Sequence, residues 1–188
     1  MVEGPLQLAV IVGSVREGRY GSRVASWFLG RIERRDDVQV DVIDLADTPL
    51  PVAQQGSAEV RAFAARIGAA DAFVVVTPEY NHSFPGPLKL AIDSAHPEWH
   101  AKPVGFVSYG GIAGGLRAVE HLRPVFAELH AVSIRETVSF YLADDPLDQD
   151  GNPRDPAGAD AAAAALLDQL VWWAHALRQA RAERPYAA

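Results

Sequence analysis

The sequence predicts a doubly wound α/β domain, an open parallel sheet with helices on both faces. Short segments rich in β-branched residues alternate with longer amphipathic ones along the chain, a pattern that calls for right-handed crossovers. Three of the short segments are apolar almost without a break, as strands buried on both faces are. The 188 residues suffice for one core and no linker divides them, so one domain is expected over 1–188.

The elements follow in order. "LQLAVIV" (Leu6 to Val12) is the first strand, and Ser22 to Arg35 the first helix. In that helix Val24, Phe28 and Ile32 share a face, while Arg31, Arg34 and Arg35 gather near the carboxyl end, where cations favour the dipole. "VQVDVIDL" (Val38 to Leu45) alternates and belongs nearer an edge. Ser57 caps a helix running to Ala70. "AFVVV" (Ala72 to Val76) and "PVGFVS" (Pro103 to Ser108) are strands, separated by a helix from Pro87 to Ala95. Gly114 to Leu129 is a helix that Pro124 is expected to kink or split. Val132 to Phe140 is a weaker fifth strand. An acidic, turn-rich stretch then leads to an alanine-rich helix at about residues 158–184, where Leu166, Leu170, Trp173 and Leu177 form a core stripe. Leu88, Ile92 and Trp99 face either the core or a second subunit, and Trp172 poses the same choice.

A net charge of -7 argues against nucleic acid or an anionic membrane as partner, since both need a basic face. With no cysteine there is no disulfide, thiolate metal site or catalytic thiol. The amino terminus has no basic region and its apolar run is only Leu6 to Val12, so a cytoplasmic protein without a membrane span is expected. No metal site is expected either. His96 and His100 are interrupted by Pro97, HExxH is missing, and the six histidines read as surface or packing residues. "DQDGNP" fails as a calcium loop, because Pro146 and Ala157 fall at the ligand positions, and reads as a solvated turn.

Three unusual loops leave the three most buried strands at their carboxyl ends, the edge where open α/β sheets bind ligands. "GSVREGRYGS" (Gly13 to Ser22) opens a helix and carries arginines, as an anion site does. It lacks the lysine and small hydroxyl of GxxxxGK[ST] and the GxGxxG spacing, which leaves a metal-free phosphate monoester held by backbone N–H groups, Ser14, Ser22 and the fork of Arg16 or Arg19. "TPEYNHSFPGP" (Thr77 to Pro87) is longer than a minimal βα connection and suits a wall beside a flat, polar-edged ring. "SYGGIAGG" (Ser108 to Gly115) has four glycines that admit close approach of backbone to a ligand. Together they fit a mononucleotide with a large planar head, and flavin mononucleotide meets that description.

The blocks "GSVREGRYGSRVA", "TPEYNHSFPGPLKLAIDSA" and "SYGGIAGGLRAVEHLR" resemble the bacterial NAD(P)H-dependent FMN reductase family over about Leu6 to Phe140. The resemblance implies a flavodoxin-like three-layer sandwich with a five-stranded parallel sheet of order 2-1-3-4-5. It also implies non-covalent FMN, NADPH or NADH as donor, and a homodimer or homotetramer. By position, Ser14, Arg16 and Ser22 would meet the phosphate with Arg19, Tyr20 and Gly21 nearby. Pro78, Glu79, Tyr80 and Asn81 would border the isoalloxazine, and Ser108, Gly110 and Gly111 would line the other side. Many members carry GSxRxxS followed two residues later by Asn; here Arg19 and Gly21 stand in those places, and Arg19 or the displaced Ser22 is expected to substitute.

The expected activity is a ping-pong transfer of electrons from the nicotinamide to a free flavin, quinone, azo dye or similar small acceptor. It needs no catalytic acid or nucleophile from the protein. A flavodoxin-like electron carrier is the alternative; it would bind flavin without nicotinamide turnover. A serine hydrolase built on Ser108 is not supported, since Phe106 stands where GxSxG requires glycine.

Overall fold

The computed structural model describes residues 4–52 and 56–187, so the reading of the first three residues lies outside the described ones. The elements alternate as β1 (Leu6–Val12), α1 (Gly21–Ile32), β2 (Val38–Asp44), α2 (Ala58–Ala69), β3 (Ala72–Pro78), α3 (Gly86–Asp93), β4 (Pro103–Gly110), α4 (Leu116–Glu128), β5 (Val132–Tyr141) and α5 (Pro156–Glu183). The sheet order is β2-β1-β3-β4-β5, with every neighbouring pair parallel. That is the expected doubly wound, flavodoxin-like topology.

Strand alternation sorts the core into two layers. Leu8, Val10, Val74, Val76, Val107 and Tyr109 face α1 and α5, where they meet Phe28, Ile32, Leu166 and Leu170. Ala9, Ile11, Phe73, Val75, Val104 and Phe106 face α2, α3 and α4, where they meet Phe63, Leu88, Ile92, Leu122 and Phe126. β1, β3 and β4 are buried nearly throughout, whereas β2 alternates as an edge strand with one covered face does. Each large side chain removed from water in this way contributes about 1.5–3 kcal/mol.

Caps set the helix boundaries. Ser57 accepts the Val60 N–H at 3.3 Å to start α2. Asp155 accepts the Gly158 N–H at 3.0 Å, and Pro156 occupies the first position of α5. α4 starts two residues later than its apolar pattern, because Gly114 and Gly115 sit at φ 58° and 88°, outside the right-handed helical region. Pro124 does not split α4, which runs unbroken through it. The bond that its ring forfeits is to the Glu120 carbonyl, and both residues lie on the exposed face, within reach of water.

Leu88, Ile92 and Trp99 belong to the core of this chain, and the Trp99 indole donates to the Ile92 and Ala95 carbonyls at 3.1 Å each. In α5, Leu166 and Leu170 are buried, Trp173 packs at the margin of the core, and Trp172 is 65% exposed. "DQDGNP" is a turn closed by Asp148, which accepts the Asn152 N–H at 2.8 Å. His100 packs between the rings of His96 and His130. No helix among the described residues is long and apolar enough to cross a membrane. None of their His, Asp and Glu side chains group to hold a metal ion.

Candidate functional site

β1, β3 and β4 end side by side, so their three loops share one edge of the sheet. Backbone bonds tie the edge together: Gly13 N–H donates to the Val76 carbonyl and Glu79 N–H to the Tyr109 carbonyl, each at 2.9 Å. On this frame the first two loops meet through side chains. Ser14 is fully buried, and its Oγ lies 2.9 Å from Tyr80 Oη. The exposed Arg16 guanidinium stacks over the Tyr80 ring, 3.6 Å from its centroid.

The remaining residues expected at the phosphate take other partners. Arg19 gives a fork to Asp44 at the end of β2, with bonds of 2.7 and 2.5 Å, and a further 2.7 Å bond to the Ser14 carbonyl. Arg19 therefore braces the loop; the sequence reading had either Arg19 or Ser22 substituting for the missing serine. Tyr20 Oη accepts the Leu147 N–H at 3.2 Å, and its ring packs on Tyr109. Burial pushes the Tyr20 phenol up. Ser22 is exposed, and it lines a shallow polar cavity of about 410 Å³ with Arg23, Arg31 and Asn152. Of the predicted phosphate residues, Tyr20 precedes α1, Gly21 and Ser22 open it, and Ser14 and Arg16 meet Tyr80 beside it.

That start is open. α1 begins at Gly21, and no side-chain hydrogen bond caps it. Its first N–H groups and its positive dipole end are therefore available to an anion. Beneath it lies Tyr109, 3% exposed, whose hydroxyl has no hydrogen-bond partner among the described residues. A Cβ on Gly21 would collide with that hydroxyl. An uncapped helix start, a buried hydroxyl, an orphaned phenol and a free guanidinium form a set of donors that a phosphate monoester fits without any metal.

The second loop is shaped by a tight turn. Asn81 and His82 sit at φ 49° and 70°, and Tyr80 and Ser83 exchange backbone bonds of 2.8 and 3.1 Å around them, the geometry of a type I′ turn. Pro78 is the buried last residue of β3. Glu79 turns away from the turn to α4, accepting from the Arg117 N–H at 3.2 Å and from its guanidinium at 3.1 Å. Its carboxylate caps the helix that the third loop opens.

In the third loop the Ser108 hydroxyl is fully buried and donates to the Gly114 carbonyl at 2.9 Å; Ser139 donates to the same oxygen at 2.6 Å. Ser108 acts on the site by holding this loop, and its occupied, covered hydroxyl is no nucleophile. Gly115 passes so close that a Cβ would come within 2.6 Å of the Ser108 Cβ. Gly110 is buried against Glu79, while Gly111 has open space beside it, where a planar group can approach the backbone. Outside the first loop, an apolar hollow of about 600 Å³ opens between Val15, Leu45, Leu50, Pro87 and Leu90.

Sequence reasoning missed Asp44, Tyr109 and Arg117. Tyr109 had a signal: two residues after Val107 on β4, it must face the layer that holds α1. Asp44 ends the alternating strand beside β1, but its pairing with Arg19 depends on the register that sets it opposite Val12.

The model of the NADPH-dependent FMN reductase family matches residues 6–145. The chain is 35% identical over 120 residues to an NAD(P)H-dependent FMN reductase of Schizosaccharomyces pombe, a match that covers 58% of this chain and 60% of that protein. It is 35% identical over 160 residues to a probable NADPH:quinone oxidoreductase of Oryza sativa, covering 78% and 81% of the two chains. Among solved structures, the flavoenzyme NAD(P)H:(acceptor) oxidoreductase FerB of Paracoccus denitrificans superposes with a TM-score of 0.72 at 25% identity, over 91% of this chain and 98% of its own. The chain belongs to the NADPH-dependent FMN reductase family.

Proposed function

We propose that this chain binds FMN non-covalently across its three strand-end loops and passes electrons from NADPH or NADH to a small acceptor such as a quinone, azo compound or free flavin. The observation that carries the reading is the meeting of loops one and two at Ser14, Tyr80 and Arg16, beside an uncapped helix start. Relatives named for quinone, azo and FMN reduction support the acceptor class. FMN, when bound, supplies the redox chemistry, taking a hydride from the nicotinamide and returning electrons to the acceptor.

The chain's own residues bind and orient. Ser14, Arg16 and the first N–H groups of α1 hold the phosphate end. The rigid turn from Tyr80 to Ser83 and the glycine backbone at Gly110 and Gly111 frame the ring end, with Glu79 locking one loop to the other. One shared surface for donor and acceptor produces alternating, ping-pong kinetics. We assign the protein to a cytoplasmic homodimer or homotetramer; the cysteine-free composition suits a reducing compartment, and the exposed Ile112 and Trp172 suit burial against another copy.

Initial rates of NAD(P)H oxidation with a benzoquinone acceptor test the reading. Parallel lines in double-reciprocal plots are expected. Flavin binding without turnover would point to an electron carrier instead.

A further inference from the structure

The Tyr109 hydroxyl is the one group of the donor set at the α1 start to which the proposed function gives no role. It rises from β4, inside the layer covered by α1, and reaches the first residue of that helix. The side chain is 3% exposed, and the hydroxyl lacks a partner among the described residues. Ser14, the hydroxyl beside it, is close enough to hold the phenol down somewhat against the upward push of burial, but its bond by geometry is to Tyr80, at 2.9 Å. Buried phenols in folded proteins carry a hydrogen bond, so an orphan of this kind asks for an acceptor that arrives from outside the chain.

The surroundings say what that acceptor is. The α1 N–H groups and Arg16 can only donate, and Ser14 and Tyr80 can. The nearest carboxylate partner, Asp44, is already bound by both arms of Arg19. Burial, and then the neighbouring Tyr80, push the Tyr109 phenol up, so it keeps its proton and remains a donor. A ring in which donors outnumber acceptors, with the Ser14 and Tyr80 hydroxyls spent on one another, is completed by a small anion with several oxygens.

We infer that Tyr109 Oη is a hydrogen-bond donor to the phosphate of the bound flavin, and that Gly21 is glycine because a Cβ there would collide with that hydroxyl. The inference rests on the FMN reading above and deepens it. It supplies a donor to the phosphate site in a loop whose Arg19 is committed to Asp44. It also makes Tyr109 a determinant of FMN over riboflavin, which has the same ring system and no phosphate.

The test is fluorescence titration of the full chain, stripped of flavin, with FMN and with riboflavin. Tyr109→Phe removes one oxygen and keeps the ring on Tyr20, so melting of the flavin-free variant should stay close to wild type. FMN affinity should fall by about tenfold or more, the usual loss for a bond to a charged group, while riboflavin affinity stays within about twofold. Inorganic phosphate should displace FMN from the wild-type chain and leave riboflavin bound. Equal weakening toward both flavins, or none toward FMN, would overturn the assignment while leaving the FMN reading intact. A wild-type chain that binds neither flavin would overturn both.

Discussion

Asp44→Asn tests whether the first loop is braced from β2. Asp44 accepts two bonds from the Arg19 fork, at 2.7 and 2.5 Å, and the Ala46 N–H at 3.0 Å. The paired side chains are 16% and 22% exposed, so the pair sits between a surface ion pair, worth about 0–1 kcal/mol, and a buried one, whose breakage costs about 3–5 kcal/mol. Losing the charge and half the fork at that depth should cost about 2 kcal/mol, which in a domain of this size lowers the melting temperature by roughly 4–8 °C. Urea unfolding of the flavin-free chain measures the loss. A cycle with Arg19→Met should return a coupling of about 1 kcal/mol or more. FMN affinity should fall too, because Arg19 also holds the Ser14 carbonyl. An Asp44→Asn chain as stable as wild type, with no coupling to Arg19, would refute the brace.

Further expectations concern the neighbouring elements. Gly21→Ala should destabilise the chain by about 1–3 kcal/mol through overpacking, and Tyr109→Phe in the same chain should restore much of the loss; denaturation midpoints decide it. Glu79→Ala should strip α4 of its cap and ion pair, costing about 1–2 kcal/mol and raising hydrogen exchange at Arg117 relative to α5. Far from the site, Lys102 is 6% exposed, donates to the Ile67 and Gly68 carbonyls, and is pushed down to about 8 by burial, then by Arg181, with Asp71 and Glu98 opposing. Its folded value lies below its unfolded one, so between the two the unfolded chain binds the extra proton. Stability should therefore rise by up to about 3 kcal/mol from pH 8 toward pH 10 relative to Lys102→Met, as read by urea titrations at each pH.

The features legible in the sequence are those that depend on neighbours along the chain. Unbroken apolar runs marked β1, β3 and β4 as central, the alternation of Val38, Val40 and Val42 marked an edge strand, and Ser57 announced α2. The three loops were recognisable for the same reason, each following a strand directly. What escaped depends on contacts across the sheet. Arg19 reads as a phosphate ligand until the register of β2 on β1, which sets Asp44 opposite Val12, places that carboxylate within its reach. Glu79 reads as a wall of the ring site until its carboxylate is seen to cross to Arg117 at the start of α4. Pro124 breaks the local helical rule, yet packing of Leu122 and Phe126 keeps α4 continuous through it, with the freed carbonyl on the wet side.

The absorption spectrum of the purified chain, loaded with FMN and then reduced without air by NADPH, tests the central claim most directly. The account predicts a bound-flavin spectrum that bleaches on addition of NADPH and returns when a quinone is added. A chain that takes up no FMN, or whose bound FMN keeps its colour in excess NADPH and NADH, would contradict it.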